Sequence, residues 1–316
     1  MPIEPEEEAL LRAIARDFDS DAPRRAYGEW LLAAGQGFGE FVLQSLVTPL
    51  AGTEVKHNKA LEKLRKTHAK AWLGPVLDRC MPKTAGLYHR GLPAIVAGDA
   101  RDLARVVPEV LLKAPRATLS VMEMAPKHIE PLMPLLNGFS GDQLLTRDFD
   151  EEAVVRLCEA GGLLRFRHAK LLCALSGRAF AAMAKQAKAL RSLALGMATD
   201  LGTLFASGLE LDSLHVVTDR LTDALASYDL PLSTLVATVD DFDDGDVDRL
   251  LARPSAKNLW WLGLARRTDA PTGLSSAGAV RLVRGLPNLH TLNLGGVFGL
   301  SAEAAEEIRA LLGGAR

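Results

Sequence analysis

The sequence predicts an α/β protein. A small helical domain is expected over residues 1–95. Residues 96–316 are then expected to form an irregular solenoid, with a parallel sheet on its concave side and helices outside. Three observations carry this expectation. Apolar residues at three- and four-residue spacing run through the N-terminal part, as along the buried stripe of a helix. Leucine fills 55 positions, and 42 of them follow residue 92. Those leucines recur in one short pattern: Leu190-x-x-Leu193-x-Leu195, Leu211-x-x-Leu214-x-Val216, Leu232-x-x-Leu235-x-Ala237, Leu259-x-x-Leu262-x-Leu264 and Leu289-x-x-Leu292-x-Leu294. Successive copies are 21, 21, 27 and 30 residues apart. A strand–helix unit of that size cannot bury its own apolar face, so its neighbours must do so by stacking on it.

The helical part reads in order. Pro5 and the acids Glu6, Glu7 and Glu8 suit a first helical turn, where carboxylates face the free N–H groups. Leu10, Leu11, Ile14 and Phe18 continue that helix. A second helix is predicted over 23–34 and stopped by Gly35, a third over 40–47 after a turn at 36–39, and a longer one over 54–73. Tyr27, Trp30, Phe41 and Trp72 lie on the apolar sides of these helices and are the expected core of the domain.

Between the leucine strands lie helical segments at 180–187, 221–227, 247–252, 277–284 and 302–312. The stretches opening at Gly273-Leu274-Ser275 and Gly299-Leu300-Ser301 are alike, each setting a serine cap before a helix. Going backwards the pattern degenerates, with strands expected at 118–122, 143–146 and 163–167, for seven to nine units in all. This resembles the leucine-rich repeats of ribonuclease-inhibitor and Ran-GTPase-activator type. In that family the leucines point inward and the residues between them form the concave surface.

A second resemblance covers about residues 6–93. Glu8-Ala9-Leu10-Leu11, Asp21-Ala22-Pro23-Arg24, Tyr27-Gly28-Glu29-Trp30-Leu31 and Gly39-Glu40-Phe41-Val42-Leu43-Gln44 are similar, in order, to the bacterial repeat-companion domain. Leu64, His68, Trp72-Leu73-Gly74-Pro75 and Arg90-Gly91-Leu92-Pro93 are similar to its closing segments. Gly28-Glu29 stands where Ala-Asp is usual in that family. The resemblance implies a helical domain set before a repeat array, and it implies no activity.

Composition excludes several classes. The 37 basic and 39 acidic residues leave a formal charge of −2, which argues against attachment to nucleic acid or an anionic membrane by bulk charge. No apolar run approaches the roughly 20 residues of a membrane helix. The acidic start at Met1–Glu8 is unlike a signal peptide, and Cys80, Cys158 and Cys173 form no paired framework, so a cytoplasmic protein is expected. No phosphate-binding loop and no zinc-type histidine pair occurs. Asp240–Asp248 is rich in acid, but Phe242 and Leu251 stand where a calcium loop needs oxygen ligands, so an inter-repeat turn with Asp246 as helix cap is the expectation. No catalytic residue, metal ligand or cofactor site is assigned, and a small-molecule ligand is not expected.

The predicted concave face reads Ser192, Ala194, Gly196; Ser213, His215, Val217; Thr234, Val236, Thr238; Trp261, Gly263, Ala265; Thr291, Asn293, Gly295. It lacks the Lys and Arg of a polyanion-binding sheet. It also lacks the acid–base pair of a hydrolase. The expectation is therefore a non-enzymatic scaffold that binds a protein partner through this face. Trp261, His215, Val217, Thr234, Val236, Thr238 and Asn293 are the contact residues, and Trp261 should emerge on the sheet while Trp260 stays near the entry turn. Two other readings stand beside it. One is a GTPase or kinase regulator acting through the rim, with Arg266-Arg267 as the available pair. The other is nucleic-acid binding through the basic helix Lys56–Lys70.

Overall fold

The computed structural model describes residues 3–47, 59–198, 200–221, 231–266, 273–294 and 299–313. The chain is α/β, with nine strands in one sheet whose order follows the chain and whose described pairings are all parallel. Parallel neighbours need a crossover between them, and wherever the connection lies within the described residues it contains a helix. The chain forms two compact units, residues 1–147 and 148–316. Residue 95, where the sequence suggests a division, lies inside the first of them.

The first unit opens with α1 (Pro5–Arg16), α2 (Ala22–Ala33), α3 (Phe38–Val47), α4 (Lys59–Leu73) and α5 (Pro75–Cys80). Leu11, Ile14, Tyr27, Leu31, Phe38, Phe41, Val42 and Trp72 are buried where these helices meet. The Phe38 and Trp72 rings stack at 4.1 Å and 8°, and Phe41 meets Tyr88 edge-on at 5.3 Å. Two details differ from the sequence reading. Phe38 opens α3 and belongs to the core instead of the preceding turn. Trp30 is only half-buried, stacked on Tyr27 at 6.2 Å, because α2 turns its Tyr27–Leu31 edge inward and leaves Trp30 at the margin.

A hairpin, β1 (Tyr88–His89) and β2 (Leu92–Pro93), follows. Its two turn residues, Arg90 and Gly91, both have positive φ, at 50° and 88°, the pairing that a two-residue turn between twisted strands requires. A Cβ on Gly91 would also lie 2.8 Å from the Val42 Cα, so only glycine fits there. Arg90 is held in its left-handed conformation by the Asp19 carbonyl and the Asp21 carboxylate. Then come β3 (Ile95–Asp99), α6 (Ala100–Ala104), α7 (Val107–Lys113), β4 (Thr118–Met122), α8 (Ile129–Gly138) and β5 (Gln143–Arg147).

The second unit contains α9 (Glu151–Glu159), β6 (His168–Leu175), α10 (Gly177–Gln186), β7 (Ser192–Ala198), α11 (Leu201–Ala206), β8 (Ser213–Arg220), β9 (Thr234–Asp241), α12 (Asp244–Leu251), β10 (Trp261–Arg266), α13 (Ser276–Gly285), β11 (Thr291–Leu294) and α14 (Ala302–Gly313). The helix expected at 221–227 lies almost wholly outside the described residues. The strand expected at 163–167 is instead a turn. Gly161, at φ 80°, ends α9 by donating to the Cys158 carbonyl, and the strand begins only at His168. At 240–248 the helix cap is Asp243, not Asp246. Asp243 accepts from the Asp246 N–H at 2.8 Å, and the Asp246 carboxylate reaches back to the Asp243 N–H at 3.1 Å. Among the described residues no helix is long and apolar enough to cross a membrane, and no cluster of side chains is arranged to hold a metal ion.

Candidate functional site: the open face of the second unit

Register fixes which side chains share a face. Leu193, Leu214, Leu235, Leu262 and Leu292 are paired across consecutive strands, and the first four of them are completely buried. Because side chains alternate along a strand, the residues on either side of this row must point the other way. They form two rows. Ser192, Ser213, Thr234, Trp261 and Thr291 are one, and Ala194, His215, Val236, Gly263 and Asn293 the other. Val217, Thr238 and Ala265 begin a third.

The structure therefore brings all seven sequence-selected residues onto one side of the sheet. His215, Trp261 and Asn293 are exposed, and Val217, Thr234, Val236 and Thr238 are half-buried. Gly295, the last residue expected on this face, lies outside the described residues. Trp261 keeps 39% of its surface in solvent although its neighbours Leu262 and Leu264 are buried. Trp260, at the entry to β10, is 49% exposed and stacks on His290 at 5.6 Å and 29°. The His290 ring is oriented by Nδ1, 2.8 Å from the Asn288 carbonyl oxygen. Two adjacent indoles thus leave the same strand in different directions, and His290 widens the apolar patch around one of them. His290 escaped sequence reasoning because it precedes its strand and belongs to no leucine row.

Glycines keep the floor of this face low beside Trp261 and, farther off, on β7. A Cβ on Gly263 would lie 3.2 Å from Val236, and one on Gly196 would lie 2.9 Å from the Leu172 carbonyl carbon, where the register between β6 and β7 shifts. Partial burial and the nearby Lys170 ammonium hold the His215 pKa below the ordinary histidine value. The imidazole is therefore neutral at neutral pH, and the described face carries little charge around Trp261.

The residues behind the other readings are placed differently. Arg266 is half-buried, and its Nε and Nη1 are enclosed without a hydrogen-bond partner among the described residues. Arg267 lies outside the described residues. On α4 the ammonium groups of Lys59, Lys63, Lys66 and Lys70 are exposed, whereas Arg65 is buried and bonds Glu62 at 2.9 Å. Lys56 lies outside the described residues. No protein-family model matches the chain, and no curated protein is similar to it.

Proposed function

We propose that the protein is a non-enzymatic docking module. In this reading the α/β array is a leucine-rich-repeat solenoid, the preceding helices are a repeat-companion domain, and a protein partner binds the concave face around Trp261. The carrying observation is that Trp261 keeps 39% of its surface exposed with the small, uncharged Thr234, Val236, Gly263 and Thr291 around it on the sheet. Exposing an indole is costly in water, and aromatic anchors dominate the energetics of protein interfaces. The half-buried Thr234, Val236 and Thr238 give that anchor a flat floor, with His215 and Asn293 as the polar groups within it.

The test uses the whole chain as bait against extract of the native cell, in parallel with Trp261→Ala, Thr238→Arg and the helix-surface control Arg309→Ala. A partner held by the parent and by Arg309→Ala but lost by both face variants is the expected result. Retention of the same partner by Trp261→Ala and Thr238→Arg overturns the reading. A captured species that is nucleic acid, with affinity falling steeply as salt rises, overturns it in favour of the basic helix.

A further inference from the structure

The register that gathers the open face of the second unit also carries it back to β6, where the character of the surface changes. His168 pairs with Ser192 and Lys170 with Ala194. These two therefore continue the rows that hold Trp261 and Asn293. Both are exposed, because Ala169 and Leu171 take the inward positions between and beside them. The turn before β6 adds Arg165 and Arg167, also exposed, on either side of the buried Phe166. Basic side chains thus leave the surface at four of the six positions from Arg165 to Lys170, and the sequence puts no acid among them.

The strand entries repeat this gradient. Backbone hydrogen bonds link Arg167, Arg191, Asp212, Ser233, Trp260 and His290 in that order, so they form one rim along the N-terminal ends of the strands. The rim begins with arginine and ends with the Trp260–His290 stack. Arg191 is engaged, since its guanidinium bonds the Lys188 and Leu190 carbonyls and meets Glu210 at 3.4 Å. Asp212 is the acid between, at the entry to β8. On the face itself Ser192, Ala194, Ser213, His215, Thr234 and Val236 separate the two ends, and none of them is acidic. Burial first, and the Lys170 ammonium second, lower the His215 pKa, so positive potential reaches the middle of the face.

One end of the face is therefore cationic and the other aromatic. Neighbouring strands lie about 4.8 Å apart, so the steps from β6 to β10 separate Lys170 from Trp261 by roughly 19 Å along the sheet. An extended chain covers that distance in about six residues. Aromatic anchors supply interface affinity, while complementary charge fixes orientation and speeds encounter.

We propose that the segment docked on this face is an acidic peptide. It is an extended stretch of a protein partner that rests a large apolar side chain on Trp261 and sets carboxylates about six residues away, beside Lys170, His168 and Arg167. The proposal rests on the docking reading above and adds the chemistry of the partner and the line along which it lies.

Selection of displayed random peptides of about twelve residues on the intact chain tests it. The expected pool carries several acids about five to seven positions from a leucine, methionine or aromatic residue, in either chain direction. Fluorescence titration with the strongest of these peptides then assigns the contacts. Lys170→Glu and Arg167→Glu should each weaken it about fivefold at low ionic strength, and the loss should shrink as salt rises. Trp261→Ala should weaken it more than about tenfold. Lys185→Glu, the same charge change on α10, should leave it unaltered. All four side chains are exposed, and an unchanged melting temperature shows that each variant is folded. A pool that needs Trp261 but carries no acids, or that ignores both charge reversals, overturns this proposal and leaves the docking reading standing. A pool indifferent to Trp261→Ala, failure to enrich any peptide, or equal affinity for an oligonucleotide of the same charge overturns it too. The docking reading is decided separately by capture from extract, where loss of the partner follows Trp261 and Thr238.

Discussion

Two aromatic residues show how differently a sequence announces its parts. Trp72 is buried to 5% and its indole N–H donates to the Tyr27 hydroxyl at 2.7 Å, while that hydroxyl donates onward to Glu7. Tyr27→Phe removes the atom that both groups share and leaves two buried polar groups short of a partner. It should lower unfolding stability by about 2 kcal/mol, at unchanged m-value, in urea titration. Helical spacing alone marks Tyr27 and Trp72 as core. It says nothing of Glu7 and Lys113, whose ion pair joins residues more than a hundred positions apart, nor of Arg24. Arg24 is fully buried, over the Phe18 ring at 4.5 Å, with its pKa lowered to about 10 first by burial and then by Arg90. Trp261 is the opposite case, since strand alternation alone predicts its exposure. Trp261→Ala should weaken partner binding by about 2 kcal/mol or more and leave the melting temperature nearly unaltered, because little packing is lost. A fall in both would make the residue part of the core.

At the scale of elements, neighbouring units are joined at their helix starts. Glu151, first residue of α9, accepts from the Ser176 N–H at 3.0 Å and from the Ser176 hydroxyl and the Ala179 N–H at the start of α10. Asp244, first residue of α12, accepts from the Ser275 N–H at 2.9 Å and its hydroxyl at 2.7 Å, where α13 begins. The hydroxyl of Ser276 in turn accepts from the Ser301 N–H at 2.9 Å before α14. In these three pairs one helix start caps the next, satisfying N–H groups that no helix can satisfy internally. Hydrogen bonds from Ser176 hold the Glu151 pKa below the usual carboxylate range, and those from Ser275 do the same for Asp244. Carboxyls with lowered folded-state pKa values stabilise the fold above the ordinary carboxylate range and lose that contribution as pH falls through their folded values. Urea midpoints should accordingly drop on acidification below about pH 4.5, and Glu151→Gln should show a shallower drop over that interval. His89 and His215, whose pKa values burial lowers, act in the same direction from pH 6.5 downward and are unchanged in the variant. The serine caps at Ser275 and Ser301 were legible as sequence. The acids that reach across to their neighbours were not, because they lie 25 to 31 residues away in the chain. The strand β3 was equally hidden, since Ile95-Val96-Ala97-Gly98-Asp99 offers only Val96 as a large inward side chain.

At the scale of the whole molecule, the leucine spacing carried the parallel strand order because each L-x-x-L-x-L unit repeats the same inward pair. Leu262 and Leu264 are almost completely buried where β9 and β11 flank β10 on both sides. Leu292 and Leu294, the same two positions on β11, are half-exposed, since β11 pairs with β10 and with no other described strand. Next to it in the chain, α14 packs on α13 and buries Ala304 and Ile308. Deleting residues 286–316 would remove both of these covers, moving the unpaired edge inward by one unit. Leu262 and Leu264 would then take up the half-exposed state of Leu292 and Leu294, and Val283 would lose the helix beside it. Burying a leucine contributes about 1.5–3 kcal/mol, and a domain's entire stability is about 5–15 kcal/mol, so partial exposure of several such residues is a large loss. The truncated chain should melt at lower temperature, bind an apolar dye that the intact chain excludes, and aggregate at concentrations where the intact chain stays dispersed. A truncated chain that remains soluble and melts cooperatively at the parental temperature would mean that the last strand and helix protect nothing behind them.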